Sequence, residues 1–70
     1  MLPITMADKE KVFKIIKING RDSVRQHLAE LGFVPDAEIR VIADNGGNMI
    51  LQVKSGRVAI DKSMANRIMV

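Results

Sequence analysis

The sequence predicts a mainly-β fold with one well-marked helix. Three observations carry this. Val12 to Ile18 (VFKIIKI), Glu38 to Asp44 (EIRVIAD) and Met49 to Lys54 are strand-length runs rich in β-branched and aliphatic residues. Turn-forming pairs separate them: Asn19-Gly20, Gly46-Gly47 and Ser55-Gly56. Only one stretch has clear helical spacing, with Val24, His27, Leu28 and Leu31 at i, i+3, i+4 and i+7.

Taken in order, Leu2-Pro3-Ile4 can begin an edge strand, where proline is tolerated. Val12 to Ile18 follows as a strand with imperfect alternation. Phe13 and Ile15 share one face; Val12, Ile16 and Ile18 share the other. This predicts either two partly covered faces or a bulge that shifts the register. The helix is expected over about 23–31. Ser23 with Gln26 three residues on makes a capping-box pattern, and Asp22 is an equally good cap. Gly32 can take the left-handed conformation that closes a helix, with Phe33 placed to pack back on the last turn. Pro35 then stops any continuation.

Beyond the helix, Glu38 to Asp44 alternates with Ile39, Val41 and Ala43 inward. Asn45-Gly46-Gly47-Asn48 forms a loop. Met49, Leu51 and Val53 share a face of the returning strand, Ser55-Gly56 is a tight turn, and Val58 and Ile60 share a face of the next strand. Asp61 to Asn66 reads as one helical turn capped by Asp61, and Arg67 to Val70 as a closing strand. So many short strands and tight turns in one short chain favour a closed barrel, which removes vulnerable edges. The expected fold is a small SH3-like barrel, residues 1–70, carrying a helix on one side.

Seventy residues make a single domain. A chain of this size buries only about 60% of its unfolded surface, so its stability margin is thin. There is no cysteine, which excludes disulfides and thiolate metal sites. Packing of Ile, Val, Leu and Met, with Phe13 and Phe33, must hold the fold together. Met64 and Met69 are expected to fill core space. No signal-peptide-like or membrane-spanning stretch is evident, and the expected location is cytoplasmic. The net charge of +3 would suit an anionic partner, but the basic residues are scattered.

The residues supply no constellation for catalysis, so an enzyme is not expected. Ser23, Ser55 and Ser63 all fall at caps or turns. His27 is the only histidine, and it reads as a partly buried helix-face residue among Val24, Leu28 and Leu31. No nucleophile or paired carboxylate can be set beside it. His27 and Glu30 are one turn apart, but two ligands are too few for a tight zinc or iron site, and no cofactor is expected. Lys9, Lys11, Lys14 and Lys17, extended by Arg21 and Arg25, form a loose basic series that a nucleic-acid-binding barrel would use. The absence of Trp and Tyr removes the stacking platforms such proteins offer, so no nucleic-acid partner is expected.

A more specific pattern lies in Arg25-Gln26-His27-Leu28-Ala29-Glu30-Leu31-Gly32-Phe33-Val34-Pro35. It resembles the R-x-x-L-x-x-L-G-hydrophobic-x-P signature of the FeoA family, small cytosolic accessory proteins of bacterial ferrous-iron uptake. Ile39 and Val41, then Gly56-Arg57-Val58-Ala59-Ile60, and finally Ala65, Ile68 and Val70 continue the resemblance to the C-terminus. The chain departs from the family where it has Asp36 in place of a frequent glycine after the signature proline. It departs again at Asp8-Lys9-Glu10-Lys11, where a glycine often precedes the second strand.

The resemblance implies a regulatory protein of ferrous iron transport, with transition metal ion binding part of its expected setting and no metal-ligating residue assigned. It would bind the cytosolic region of the FeoB-type membrane GTPase transporter and reach the membrane through that partner alone. The region expected to shape the docking surface is Arg21, Arg25, Leu31, Gly32, Phe33 and Pro35, with the two arginines as direct contacts. Leu28, Leu31 and Gly32 also serve packing and capping. A domain of this type also occurs fused to metal-dependent repressors of the diphtheria-toxin-repressor class, whose DNA-binding half is missing here. Short exposed strands could also pair between copies as a homo-oligomer.

Overall fold

The structure is a computed structural model and describes residues 1–70. Its elements are β1 (Val12–Lys14), β2 (Lys17–Ile18), α1 (Asp22–Glu30), β3 (Glu38–Asn45), β4 (Asn48–Val53), β5 (Gly56–Asp61), α2 (Lys62–Ala65) and β6 (Ile68–Met69). Four antiparallel strands form one sheet in the order β1-β3-β4-β5, and β2 pairs with β6 in a second. The fold is the mainly-β, SH3-like barrel the sequence predicts.

The run from Val12 to Ile18 passes from one sheet to the other, which explains its imperfect alternation. Ile15 still bonds to the β3 side, through Ala37 O at 2.9 Å and the Asp36 N–H at 2.8 Å. Ile16 donates instead to Met69 O at 2.7 Å. The bend between them resets the pleat, so Ile15 and Ile18 are buried while Val12 and Ile16 face outward. At the N-terminus Leu2 exchanges backbone bonds with Val70. Ile4–Met6 is a 3-10 turn rather than strand, because the chain after Pro3 folds back and Met6 N–H bonds to Pro3 O at 2.9 Å.

The core is wholly apolar: fourteen residues are buried and none is polar. β3 supplies Ile39 and Val41, and β4 supplies Met49, Leu51 and Val53 from one face, as their alternation requires. Met49 is the methionine that fills the centre, whereas Met64 and Met69 are only partly buried. The alternation of β3 breaks after Val41. A register shift pairs Val41 with Leu51 but Ala43 with Ile50, so Ala43 lies on the face opposite the Met49–Leu51–Val53 row. The β4–β5 turn also sits one residue earlier than expected: Val53 pairs with Gly56, and Lys54-Ser55 make the turn.

Helix α1 runs one residue ahead of its expected span at both ends. Its N-cap is Arg21, with no side-chain cap bond, so the Ser23–Gln26 capping box does not form. Ser23 lies within the first turn, while Asp22 pairs with Arg25. The C-terminal end is closed as predicted. Gly32 takes φ +105°, its N–H bonds to Ala29 O at 3.0 Å, and Phe33 N–H bonds to Leu28 O at 2.9 Å. Phe33 and Leu28 are fully buried.

Two non-glycine residues have positive φ, Glu10 at 63° and Asp36 at 71°. These fall at the two places where the chain departs from the family pattern. A glycine would take either conformation without a Cβ penalty. Glu10 and Asp36 therefore hold a backbone conformation for which glycine is better suited.

Candidate partner-binding groove

The signature segment does two different jobs. Leu28, Gly32 and Phe33 anchor the end of α1 to the barrel. A Cβ added at Gly32 would meet Val53 Cγ2 at 3.1 Å and Ser55 Oγ at 3.2 Å, so the helix end sits directly on the β4–β5 hairpin. Leu31, the C-cap residue, is half-buried against the core. These residues place the helix and offer little surface themselves.

The opposite side of α1 lines a shallow groove of about 370 Å³ against β2 and the chain after the helix. Arg25, Gln26 and Ala29 form its helix wall, a stripe set by helical spacing. Ile18 and Phe33, both buried, also line it, together with the exposed Lys17, Val34 and Pro35. Val34 is 40% exposed although it is apolar and flanked by a buried phenylalanine. The two charged residues of the lining are both cations, and no carboxylate joins them. Arg25 is held by Asp22, an i,i+3 pair whose carboxylate is 92% exposed. Such exposed pairs contribute at most about 1 kcal/mol, so Arg25 can exchange its partner at little cost.

The structure therefore gathers Arg25, Phe33 and Pro35 of the residues singled out from sequence. Leu31 and Gly32 turn to the barrel instead, and Arg21 stands at the helix start outside the groove. Lys17, Ile18, Gln26, Ala29 and Val34 were not anticipated. Gln26 and Ala29 were within reach of a helical wheel, being on the face away from Val24, Leu28 and Leu31. Lys17 and Ile18 come from β2, the strand just before the helix, but their approach to it depends on how the barrel closes and carries no local signal.

The rest of the surface offers less. A larger hollow of about 590 Å³ lies between Val12 and the β3 and β4 strands. Its rim mixes Asp36 and Glu38 with Arg40 and Lys54, which gives no net preference for the sign of a partner. The basic series is dispersed: Lys11 pairs with Asp8 at 3.4 Å, Lys14 lies opposite Glu38, and Lys17 borders the groove. His27 is exposed, contrary to expectation, because the apolar face of α1 is narrower than its spacing suggests. No three His, Asp or Glu side chains gather as a metal set. No helix is long and apolar enough to cross a membrane.

At the far end of the fold Asp61 caps α2. Its Oδ1 accepts the Met64 N–H and the Ser63 hydroxyl, both at 2.8 Å. These bonds hold its carboxyl below the ordinary carboxylate range, the backbone bond contributing most.

The FeoA domain model matches residues 2–70, essentially the whole chain. The chain belongs to the FeoA family. A FeoA crystal structure described as an iron uptake regulatory protein superposes with a TM-score of 0.90 at 30% identity, over 99% of this chain and 93% of that one. A zinc-complexed FeoA from Stenotrophomonas maltophilia matches with a TM-score of 0.83 at 26% identity, over 100% and 89%. That protein is described as a prokaryotic SH3 domain protein and a candidate activating factor of ferrous iron transport. Fe(2+) transport protein A of Methanocaldococcus jannaschii is 27% identical over 70 residues, all of this chain and 85% of the relative. FeoA membership thus accounts for the signature helix, its glycine closure and the strands that follow.

Proposed function

We propose that this chain is a non-enzymatic, cytoplasmic accessory protein of ferrous iron uptake. It acts by binding the cytosolic region of the FeoB-type GTPase transporter. The observation that carries this reading is the FeoA match along residues 2–70, supported by relatives named for iron uptake and Fe(2+) transport. The chain's own geometry supports a binding role over a chemical one: every buried side chain is apolar, and the sole histidine is exposed.

The groove between α1 and β2 is the docking surface this reading favours. Its apolar rim at Val34 and Pro35 suits a hydrophobic side chain of the partner. Lys17 and Arg25 suit carboxylates beside it. An interface of this kind would be centred on a few anchors rather than spread evenly. The test is a pull-down of the transporter's purified cytosolic region by the immobilised chain in apo, GDP and GTP-analogue states. Retention in at least one state is expected. No retention in any state would overturn the reading.

A further inference from the structure

We propose that β5 is a self-recognition edge, through which two copies of this chain join their four-stranded sheets antiparallel about a two-fold axis at Ala59. Strand β5 ends its sheet, pairing with β4 on one side and with no strand on the other. Its ladder with β4 is regular from Gly56 to Asp61, with no bulge and no proline to blunt the free edge. The Lys62 N–H bonds to Gly47 O at 2.9 Å, which sets the phase of that ladder. Bonded pairs then recur at Ile60 with Met49, Val58 with Leu51 and Gly56 with Val53. The backbone groups of Arg57 and Ala59 point the other way, and both residues are exposed.

The side chains of this edge complement themselves in one register. A two-fold axis at Ala59 sets Ala59 against its own copy, two small side chains that let the backbones close. It sets Arg57 opposite Asp61 of the second copy, and Asp61 opposite Arg57, two ion pairs from one symmetric contact. On the other face Val58 meets Ile60 of the second copy, apolar against apolar. Asp61 Oδ1 is taken by Met64 and Ser63, while Oδ2 accepts no bond within the chain and remains for the guanidinium. Moving the axis to Val58 or Ile60 removes both ion pairs, and a slip by one residue opposes polar to apolar faces. Six residues per copy make a small contact, so the dimer forms between micromolar and millimolar concentrations.

Sedimentation of the wild-type chain across that range is expected to show a reversible monomer–dimer equilibrium. Ala59→Pro removes one outward N–H and spares the β4 ladder; it is expected to weaken dimerisation by at least about tenfold. Arg57→Glu keeps the backbone intact and sets carboxylate against carboxylate, with a loss in the same direction. The chain lacks cysteine, so Ala59→Cys introduces a single thiol. Opposed Cα atoms about 5.5 Å apart suit a disulfide. Ala59→Cys is expected to cross-link at least about tenfold faster than Ala29→Cys on the helix. A wild-type chain that stays monomeric at millimolar concentration overturns the proposal. So does a dimer untouched by Ala59→Pro and Arg57→Glu in variants shown to be folded by their amide spectra. Arg57 and Ala59 amides that shift only on adding the transporter's cytosolic region would assign the edge to that partner and also overturn it.

Discussion

The two ends of α1 are built by different means. At the C-terminal end, Gly32 in the left-handed region, two backbone bonds and the buried rings and methyls of Phe33 and Leu28 all enforce one geometry. At the N-terminal end Arg21 occupies the cap position without a side-chain bond, and the Asp22–Arg25 pair lies at the surface. The family signature is concentrated at the over-determined end. Its most recognisable residues therefore hold the helix in place. The side chains free to meet a partner are Arg25, Gln26 and Ala29 on the helix, with Val34, Pro35 and Lys17 around them.

The sharpest way to break this contrast is Phe33→Ala. Truncating a fully buried phenylalanine costs about 3–5 kcal/mol. A domain of this length holds only roughly 4–10 kcal/mol in total. The variant should unfold at much lower denaturant concentration, as read by circular dichroism. Gly32→Ala comes next, because it forces a Cβ into positive φ and against Val53 and Ser55. A loss of about 1–3 kcal/mol is expected, with the helix signal otherwise kept.

Arg21→Ser tests the other end and should act with the opposite sign. A serine at an extended N-cap position can accept a first-turn N–H, and this should raise stability by about 0.5–1 kcal/mol. A loss there would mean that the arginine holds the helix start in some other way.

Asp61 gives the smallest effect, visible as a pH dependence. Its carboxyl titrates lower in the folded chain than in the unfolded one. Its contribution is therefore complete above the ordinary carboxylate value and fades as pH falls through the lower folded one. Thermal melts of the wild type and Asp61→Asn should diverge at neutral pH and converge in strong acid. Parallel curves at every pH would mean that the charge of Asp61 adds nothing to its cap.

Much of this was legible in the sequence, for local reasons. The glycine closure of α1, the inward row Met49–Leu51–Val53 and the Asp61 cap each follow from residues within one element. What escaped were features set by distant parts of the chain. The switch of partner between Ile15 and Ile16 depends on β6, and the bulge beyond Val41 depends on β4. The missing capping box reflects a helix that begins one residue early. The groove was half-legible: its helix wall follows from spacing, whereas Lys17 and Ile18 arrive only through the barrel's closure. The positive φ of Glu10 and Asp36 was not legible either, because neither residue type signals that conformation as a glycine would.

The proposed division of labour is that the signature segment supports a neighbouring surface, which does the binding. It is tested most directly by titrating the transporter's cytosolic region with the wild type, Val34→Asp and the Lys17→Glu/Arg25→Glu pair. Both variants change only exposed residues and should melt within about 1 kcal/mol of the wild type, the most the Asp22–Arg25 pair contributes. Both variants should bind at least about tenfold more weakly than the wild type. Wild-type binding that survives both variants unchanged would place the interface elsewhere on the molecule and contradict the claim.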